Sequence, residues 1–100
     1  MYDLAVTGGY GRWSDNPSGS TPGDAIKVCD TKDDRWGIET WLDYDRDGKV
    51  DRIASTRGHS ASYCSPWKTG NLPEDGPVDI AVIQVMGNQT GARKQWVAHT

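Results

Sequence analysis

The chain has 100 residues, a formal net charge of −3 and a hydrophobic content of 35%, which suits one small domain with a modest core. Its basic residues are scattered, and no apolar run approaches the length of a membrane span. These features argue against nucleic acid as the main partner and against insertion into a membrane. Asp accounts for 12 of the 14 acidic residues. Because Asp favours turns over helix interiors, we expect little helix.

The first part of the chain has the composition of a linker. Residues 1–24 are rich in Gly, Ser, Pro and Asp, with two prolines between residues 15 and 23. This composition predicts an extended N-terminal segment that precedes a domain at residues 25–100. We expect Met1 to stand where a signal peptide has been removed.

Tyr10, Arg12 and Trp13 are unusual residues for a linker. Tyr, Trp and Arg dominate binding hot spots, so these three side chains are candidate contacts to a protein partner. In that case, deletion of residues 1–23 should abolish partner capture and leave the fold intact. The alternative is that residues 2–7 form a first strand and that Trp13 covers the core.

The only two cysteines, Cys29 and Cys64, are far apart in the sequence, and neither has a second soft-metal ligand beside it. We therefore predict one disulfide bond and an oxidising, extracellular compartment. Closing a loop of this span should stabilise the fold by roughly 4 kcal/mol in the chain-entropy model. The alternative is a pair of buried free thiols.

The most informative motif is an acidic run with the spacing D-x-D-x-D-G-x-x-D. Its members are Asp43, Asp45, Asp47, Gly48 and Asp51. Four carboxylates so close together repel one another unless a hard cation lies among them, and Ca²⁺ takes about six to eight oxygen ligands from such loops. We predict a calcium site in which the carboxylates are joined by the backbone carbonyl of Lys49.

The flanks of the acidic run do not fit an EF-hand. The position of the final bidentate Glu is occupied by Ala54, and neither flank has helical periodicity. The order of strand, acidic loop and strand resembles the calcium loops of FG-GAP and VCBS repeats, in a single copy. The alternative is a plain two-residue hairpin turn at Asp47 and Gly48, with the other aspartates in solvent.

Apolar alternation and turn residues predict a series of short strands from residue 25 onward. The strands are expected at Ala25–Asp30, Gly37–Tyr44, Val50–Thr56, Ser60–Cys64, Val78–Met86 and Lys94–Ala98. Val78–Met86 is the most hydrophobic and is expected to be central. We predict a turn at Gly87–Gly91, and we expect the Trp96 side chain to face inward. This pattern predicts an all-β fold, a small antiparallel β-sandwich with an immunoglobulin-like outline.

Residues 25–100 resemble a group of small secreted actinobacterial β-sandwich proteins with a disulfide bond. The matching elements are Val28-Cys29-Asp30, Asp33-Asp34, Gly37, Cys64, Asn71-Leu72-Pro73, Gly76, Val78–Met86 and Trp96. The resemblance implies secretion and the fold, and no common activity. Some secreted toxin particles of these bacteria contain an adaptor subunit that joins a lectin to a scaffold. The resemblance therefore implies an adaptor role with a lectin or scaffold partner.

The residues do not predict an enzyme. The only imidazoles are His59, in a polar turn, and His99, near the end of the chain, and paired cysteines offer no nucleophile. Calcium would hold the acidic cluster ionised and occupied, which argues against carboxylate catalysis. We therefore predict a secreted, non-enzymatic protein-binding or adaptor module.

Two other functions remain open. Trp36 and Trp67 lie in polar surroundings in the sequence and are candidates for stacking on a sugar, unless both cover the core. The segment Ser65–Thr69 is a candidate inhibitor loop that would present Lys68 to a trypsin-like protease.

Overall fold

The computed structural model describes residues 2–14, 23–32, 35–44, 46, 48–70, 72 and 76–100. Within these ranges the chain forms strands and no helix, so no helix could cross a membrane there. The strands are β1 (Tyr2–Val6), β2 (Gly9–Ser14), β3 (Ala25–Asp30), β4 (Gly37–Tyr44), β5 (Arg52–Ser55), β6 (Tyr63–Cys64), β7 (Pro77–Met86) and β8 (Gln89–His99). Residue 1 and residues 15–22 of the predicted N-terminal segment lie outside the described residues.

The strands form two antiparallel sheets of four strands each. Sheet 1 has the order β1-β2-β3-β6, and sheet 2 has the order β5-β4-β7-β8. In an immunoglobulin domain, strands B and E pair in one sheet while C, F and G pair in the other. β3 and β6 match B and E, and β4, β7 and β8 match C, F and G. The predicted all-β, immunoglobulin-like sandwich is therefore confirmed.

β7 lies between β4 and β8, which confirms the predicted central strand. Alternation along β7 places Val78, Ile80 and Val82 in the main core and Ala81 and Ile83 in a second cluster on the other face. A strand buried on both faces is expected to be a nearly continuous run of apolar residues, as this one is.

The main core lies between the two sheets. Its buried residues are Trp13, Ile26, Val28, Ile38, Leu42, Ala54, Val78, Ile80, Val82 and Ala98. Burial of each large aliphatic side chain contributes roughly 1.5–3 kcal/mol. The hydroxyl of Thr40, which is fully buried, donates a 3.0 Å hydrogen bond to the carbonyl of Lys27 and so joins β4 to β3 across the layers.

The N-terminal segment is extended, and its residues 2–14 belong to sheet 1. β1 and β2 form a hairpin around the turn at Thr7 and Gly8, and Gly8 has a positive φ of 92°, which glycine adopts without steric cost. β2 then pairs with β3 along its whole length. The structure therefore agrees with the alternative expectation from the sequence, in which a first strand is present and the Trp13 side chain covers the core. This side chain is 2% exposed.

The two cysteines form a disulfide bond, as predicted, and the alternative of free thiols is wrong. Cys29 and Cys64 are directly opposite each other on β3 and β6. The immunoglobulin disulfide instead joins strands B and F of different sheets. Here the bond fastens β6, a strand of two residues, to its neighbour within sheet 1.

The two ends of the sandwich carry different features. One end, which we call the cleft end, has the β1–β2 turn, the β3–β4 and β5–β6 loops and the β7–β8 turn. The opposite end, the terminal end, has the acidic β4–β5 loop together with Tyr2 and Thr100. The prediction that the Trp96 side chain faces inward lies outside the described side chains.

Candidate functional site

The outer face of sheet 2 carries an apolar surface around Trp41. Trp41 is opposite Ile53 of β5 and Ala81 of β7, so all three side chains share this face. Exposed fractions of 44% for Val50 and Ile53 and 41% for Val97 leave large apolar side chains in solvent. We call this surface the Trp41 patch; its members are Trp41, Val50, Ile53, Ala81 and Val97, and Ile83 belongs to the buried cluster on which Trp41 packs.

Two polar side chains hold the Trp41 ring in place. Its indole nitrogen Nε1 donates a 2.9 Å hydrogen bond to Glu39 Oε1. The guanidinium of Arg93 lies 5.7 Å from the ring centroid, within range of a cation–π contact. The aromatic side chain at the centre of the patch is therefore oriented before any partner binds, which lowers the entropy lost on binding.

Glu39 is the polar anchor of this face, with a side chain that is 9% exposed. Its Oε2 accepts hydrogen bonds from Ser55 Oγ at 2.9 Å and from Arg57 Nε at 2.8 Å. Burial raises the pKa of Glu39, but the hydrogen bonds from Trp41, Arg57 and Ser55 outweigh it, so the pKa lies below its usual value of 4.5. Glu39 is therefore ionised at neutral pH.

A groove of about 370 Å³ crosses the Trp41 patch. Trp41, Val50 and Ala81 line it with apolar surface, and the polar side chains around it are Asp43, Asp79, Arg93 and Gln95. An apolar centre with a polar rim is the usual anatomy of a protein interface. The sequence analysis missed this surface because it considered the inward-facing residues of β4, which are Ile38 and Leu42. The residue that indicates the surface is Trp41, which faces outward.

The acidic loop joins β4 to β5 at the terminal end. Asp45 and Asp47 lie outside the described residues, so the structure places only part of the predicted ligand set. Asp43 Oδ2 accepts the Gly48 N–H at 3.0 Å, and Asp51 Oδ2 accepts the Tyr44 N–H at 2.7 Å. Lys49 is exposed. Among the described residues no group of three or more ligand side chains is present, and the calcium site stays a prediction.

The predicted partner contacts at the N-terminus fall on both faces of sheet 1. Tyr10 and Arg12 are on the outer face, where Arg12 Nε and Nη2 donate to the carboxylate of Asp3 at 2.5 and 2.9 Å. This ion pair lowers the pKa of Asp3 and raises that of Arg12. Trp13 points the other way into the core, so its indole is not available to a partner.

A cleft of about 280 Å³ opens at the cleft end, and Trp36 lines it with Asp30, Arg35, His59 and Met86. The imidazole of His59 stacks on the ring of Tyr63 with centroids 3.7 Å apart. The cleft therefore combines an indole with charged and hydrogen-bonding side chains, and it is more polar than most small-molecule sites.

Trp67 and His99 do not line this cleft. Trp67 lies instead against sheet 1, where Lys27 Nζ is 5.4 Å from its ring centroid. His99 is opposite Pro77 near the terminal end. The structure thus separates the two tryptophans that were sugar-binding candidates, and it separates the two histidines.

The predicted inhibitor loop is fastened to β3. Lys68 donates its N–H to the Ile26 carbonyl at 2.8 Å, and the Lys68 carbonyl accepts the Ile26 N–H at 3.0 Å. Thr69 Oγ1 donates to the Gly23 carbonyl at 2.9 Å. A protease cleft binds an extended loop through its backbone groups, and those of Lys68 already serve the domain itself.

No protein-family model matches the chain, and no match is found among curated proteins or among solved structures. The resemblance to secreted actinobacterial sandwich proteins therefore stays a prediction from the motifs.

Proposed function

We propose that this domain is a secreted, non-enzymatic protein-binding or adaptor module that engages its partner through the Trp41 patch. The supporting observation is the position of Trp41 in a groove with both apolar and charged lining residues, where Glu39 and Arg93 hold its ring. Trp is among the residues that contribute most to binding when they are buried by a partner. The predicted lectin or scaffold subunit is a suitable partner for such a surface.

The composition of the surface favours a protein partner over a small ligand. Exposed apolar side chains continue beyond the groove to Ile53 and Val97 on the two outer strands of sheet 2. Apolar side chains spread over four strands match a second protein surface better than they match a compact molecule. Tyr10 and Arg12 on sheet 1 remain candidates for a separate contact.

Two features support an extracellular location and a rigid terminal end. The Cys29–Cys64 disulfide is typical of an oxidising compartment. We propose that Ca²⁺ binds the acidic β4–β5 loop, because the carboxylates of Asp43 and Asp51 already turn toward the loop backbone. The ion would supply charge neutralisation for this loop beside the Trp41 patch.

Site-specific photo-crosslinking tests the proposed surface. A photoreactive amino acid replaces Ile53 in the Trp41 patch or, as the control, Ser62, an exposed residue of the β5–β6 loop. Both proteins are incubated with the extracellular medium of the producing cells. We expect a protein adduct at position 53 that Trp41→Ala reduces about tenfold or more. Equal adducts at both positions, or adducts only at position 62, would contradict the proposal.

The cleft beside Trp36 supports sugar binding as a second candidate function. Its mixture of an indole with Asp30, Arg35 and His59 offers stacking together with donors and acceptors for hydroxyl groups. A glycan panel should then contain at least one ligand whose binding Trp36→Ala abolishes and Trp67→Ala preserves. A flat response of the wild-type protein across the panel would remove this candidate.

A further inference from the structure

β8 (Gln89–His99) is the longest strand and forms one edge of sheet 2. Among the described strands it pairs only with β7. β1 of the facing sheet contacts β8 and forms no ladder with it. In an edge strand of this kind, about half of the N–H and C=O groups point away from the sheet. The outer side of β8 can therefore pair with a further strand.

The charge of β8 differs from that of the whole chain. The strand contains Arg93 and Lys94 and no acidic residue, whereas the chain has a net charge of −3. Arg93 is opposite Ile83 and Lys94 is opposite Val82, so the two side chains point to opposite faces of the sheet. Both are exposed, and neither forms a salt bridge with a described carboxylate.

These two charges disfavour pairing of β8 with a second copy of itself. An antiparallel pair centred on Lys94 would place two lysines opposite each other at the new ladder, and one centred on Arg93 would place two arginines opposite each other. Like charges directly opposite on paired strands are destabilising, and opposite charges are stabilising. Lysine on an edge strand is a common protection against such association. The same charges therefore select for an acidic strand.

We propose that β8 accepts an extended strand of a partner protein that carries two adjacent acidic residues opposite Arg93 and Lys94. Adjacent residues of the added strand point to opposite faces, as Arg93 and Lys94 do. Backbone hydrogen bonds would supply affinity, and the charges would set the register. This inference rests on the proposed protein-binding function and specifies the partner.

The added strand would also enlarge the Trp41 patch. Val97 and Arg93 belong to the outer face of β8, and Arg93 lies over Trp41. A side chain of the new strand beside Val97 would therefore cover part of the apolar surface that is now in solvent. The irregularity of the ladder between Ile83 and Val85 limits the regular pairing region to residues 93–99. This length accommodates an added strand of about seven residues.

Titration of the isotope-labelled full chain with synthetic peptides of nine residues tests the proposal. The acidic peptide alternates Thr and Val and has Asp at its sixth and seventh positions, which antiparallel pairing from residue 99 to residue 93 would place opposite Lys94 and Arg93. The first control replaces both by Lys, the second moves them to the two ends, and the third N-methylates the central backbone. We expect resonance shifts and slower amide exchange at residues 89–99, with Kd about tenfold lower for the acidic peptide than for the lysine peptide.

Charge reversal on the protein completes the test. Lys94→Glu, which leaves Trp41 and its contacts unchanged, should weaken binding of the acidic peptide and strengthen binding of the lysine peptide. Lys32→Glu, a matched change in the β3–β4 loop, should alter neither. The proposal is overturned by equal affinity for all peptides, by the absence of binding, by shifts confined to β1 or β5, or by self-association through β8.

Crosslinking at position 53 separates this inference from the proposed function. If a partner is captured there equally well by the wild type and by Lys94→Glu, the Trp41 patch binds protein and the strand proposal falls. If no partner is captured and the acidic peptide still binds β8 selectively, the edge is a strand acceptor and the patch is not the main contact.

Discussion

The indole nitrogen of Trp41 and the carboxylate of Glu39 are joined by a 2.9 Å hydrogen bond on the outer face of sheet 2. The second carboxylate oxygen of Glu39 binds Ser55 and Arg57. One ionised group therefore connects β4, β5 and the loop that follows, and it fixes the ring on which the proposed partner would rest. Protonation of the Glu39 carboxylate would therefore weaken the hydrogen bonds that hold the Trp41 ring in the patch.

Glu39→Gln should lower the free energy of unfolding by about 2 kcal/mol at neutral pH, because a neutral amide cannot accept all three hydrogen bonds and places N–H groups against donors. Urea denaturation measures the loss, and the indole N–H resonance of Trp41 should shift. Asp79→Asn is the control, since the exposed pair with Arg46 is worth less than about 1 kcal/mol. Equal losses in the two variants would show that the network is not important.

Stability should fall in acid partly through Glu39. Its pKa is lowered in the folded state, so the unfolded state takes up the proton first as the pH falls. The contribution is fully present above the unfolded pKa and is lost as the pH falls through the folded pKa, below 4.5. Unfolding free energies between about pH 6 and pH 3 should therefore slope less in Glu39→Gln than in the wild type. Parallel curves would contradict this assignment.

Removal of the N-terminal hairpin should unfold the domain. Trp13→Ala leaves a large cavity between the sheets and should cost about 3–5 kcal/mol, and deletion of residues 1–23 removes two strands as well. This expectation replaces the one drawn from composition, in which the deletion left the fold intact. Tyr10→Ala on the outer face is the control, with a small effect. A truncated protein that still melted cooperatively at the wild-type temperature would contradict the structure.

Loss of the disulfide should destabilise the domain by roughly 4 kcal/mol, the chain-entropy value for its sequence separation of 35 residues. The double variant Cys29→Ala and Cys64→Ala separates the effect of the bond from that of a free thiol. Melting of the double variant and of the reduced wild type should agree. If the double variant melted as the oxidised wild type does, the bond would contribute nothing to stability.

Calcium should raise the melting temperature if the acidic loop binds it. Calcium at 100-fold above its Kd should add about 10 °C or more relative to chelator. Asp43→Asn and Asp51→Asn should each reduce the rise, whereas Asp3→Asn, a carboxylate paired with Arg12 on sheet 1, should leave it unchanged. An identical melting temperature in chelator and in calcium would contradict the calcium site and would favour the alternative, a plain hairpin turn.

The strands with strong alternation were predictable to the residue. β3 and β4 begin and end where the sequence predicts, at Ala25–Asp30 and Gly37–Tyr44. β8 was predicted too short, from Lys94 instead of Gln89. The predicted strand was too short because Gly91 is typical of a turn. In the structure Gly91 lies inside β8, near the irregularity of the ladder. Only Gly87 and Asn88 form the turn.

The N-terminal hairpin was hidden by its glycines. Gly9 and Gly11 suggest a linker by composition, yet both lie on the inner face of β2. A Cβ atom on Gly11 would collide with the side chains of Thr40 and Val82. Glycine is therefore present because β2 approaches sheet 2 closely, a constraint set by residues far away in the sequence. Propensity rules consider only neighbouring residues in the sequence, so they do not detect this constraint.

The Trp41 patch was unpredictable for a different reason. On β4 the outward residues Glu39, Trp41 and Asp43 look like an ordinary polar face with one aromatic residue. The patch arises only when β5 and β8 bring Ile53 and Val97 to the same side of the sheet. Strand order carries this information, and strand order depends on pairing between distant segments.

The extra strand β1 reverses the direction of the chain before the immunoglobulin-like strands begin. Tyr2 and Thr100 therefore leave the sandwich at the same end, and the cleft beside Trp36 is at the other. If this domain were inserted into a surface loop of a carrier protein, both connections would be at one end of the sandwich. The cleft beside Trp36, at the opposite end, would then face away from the carrier. Two dyes attached to the termini would report unfolding as a loss of energy transfer.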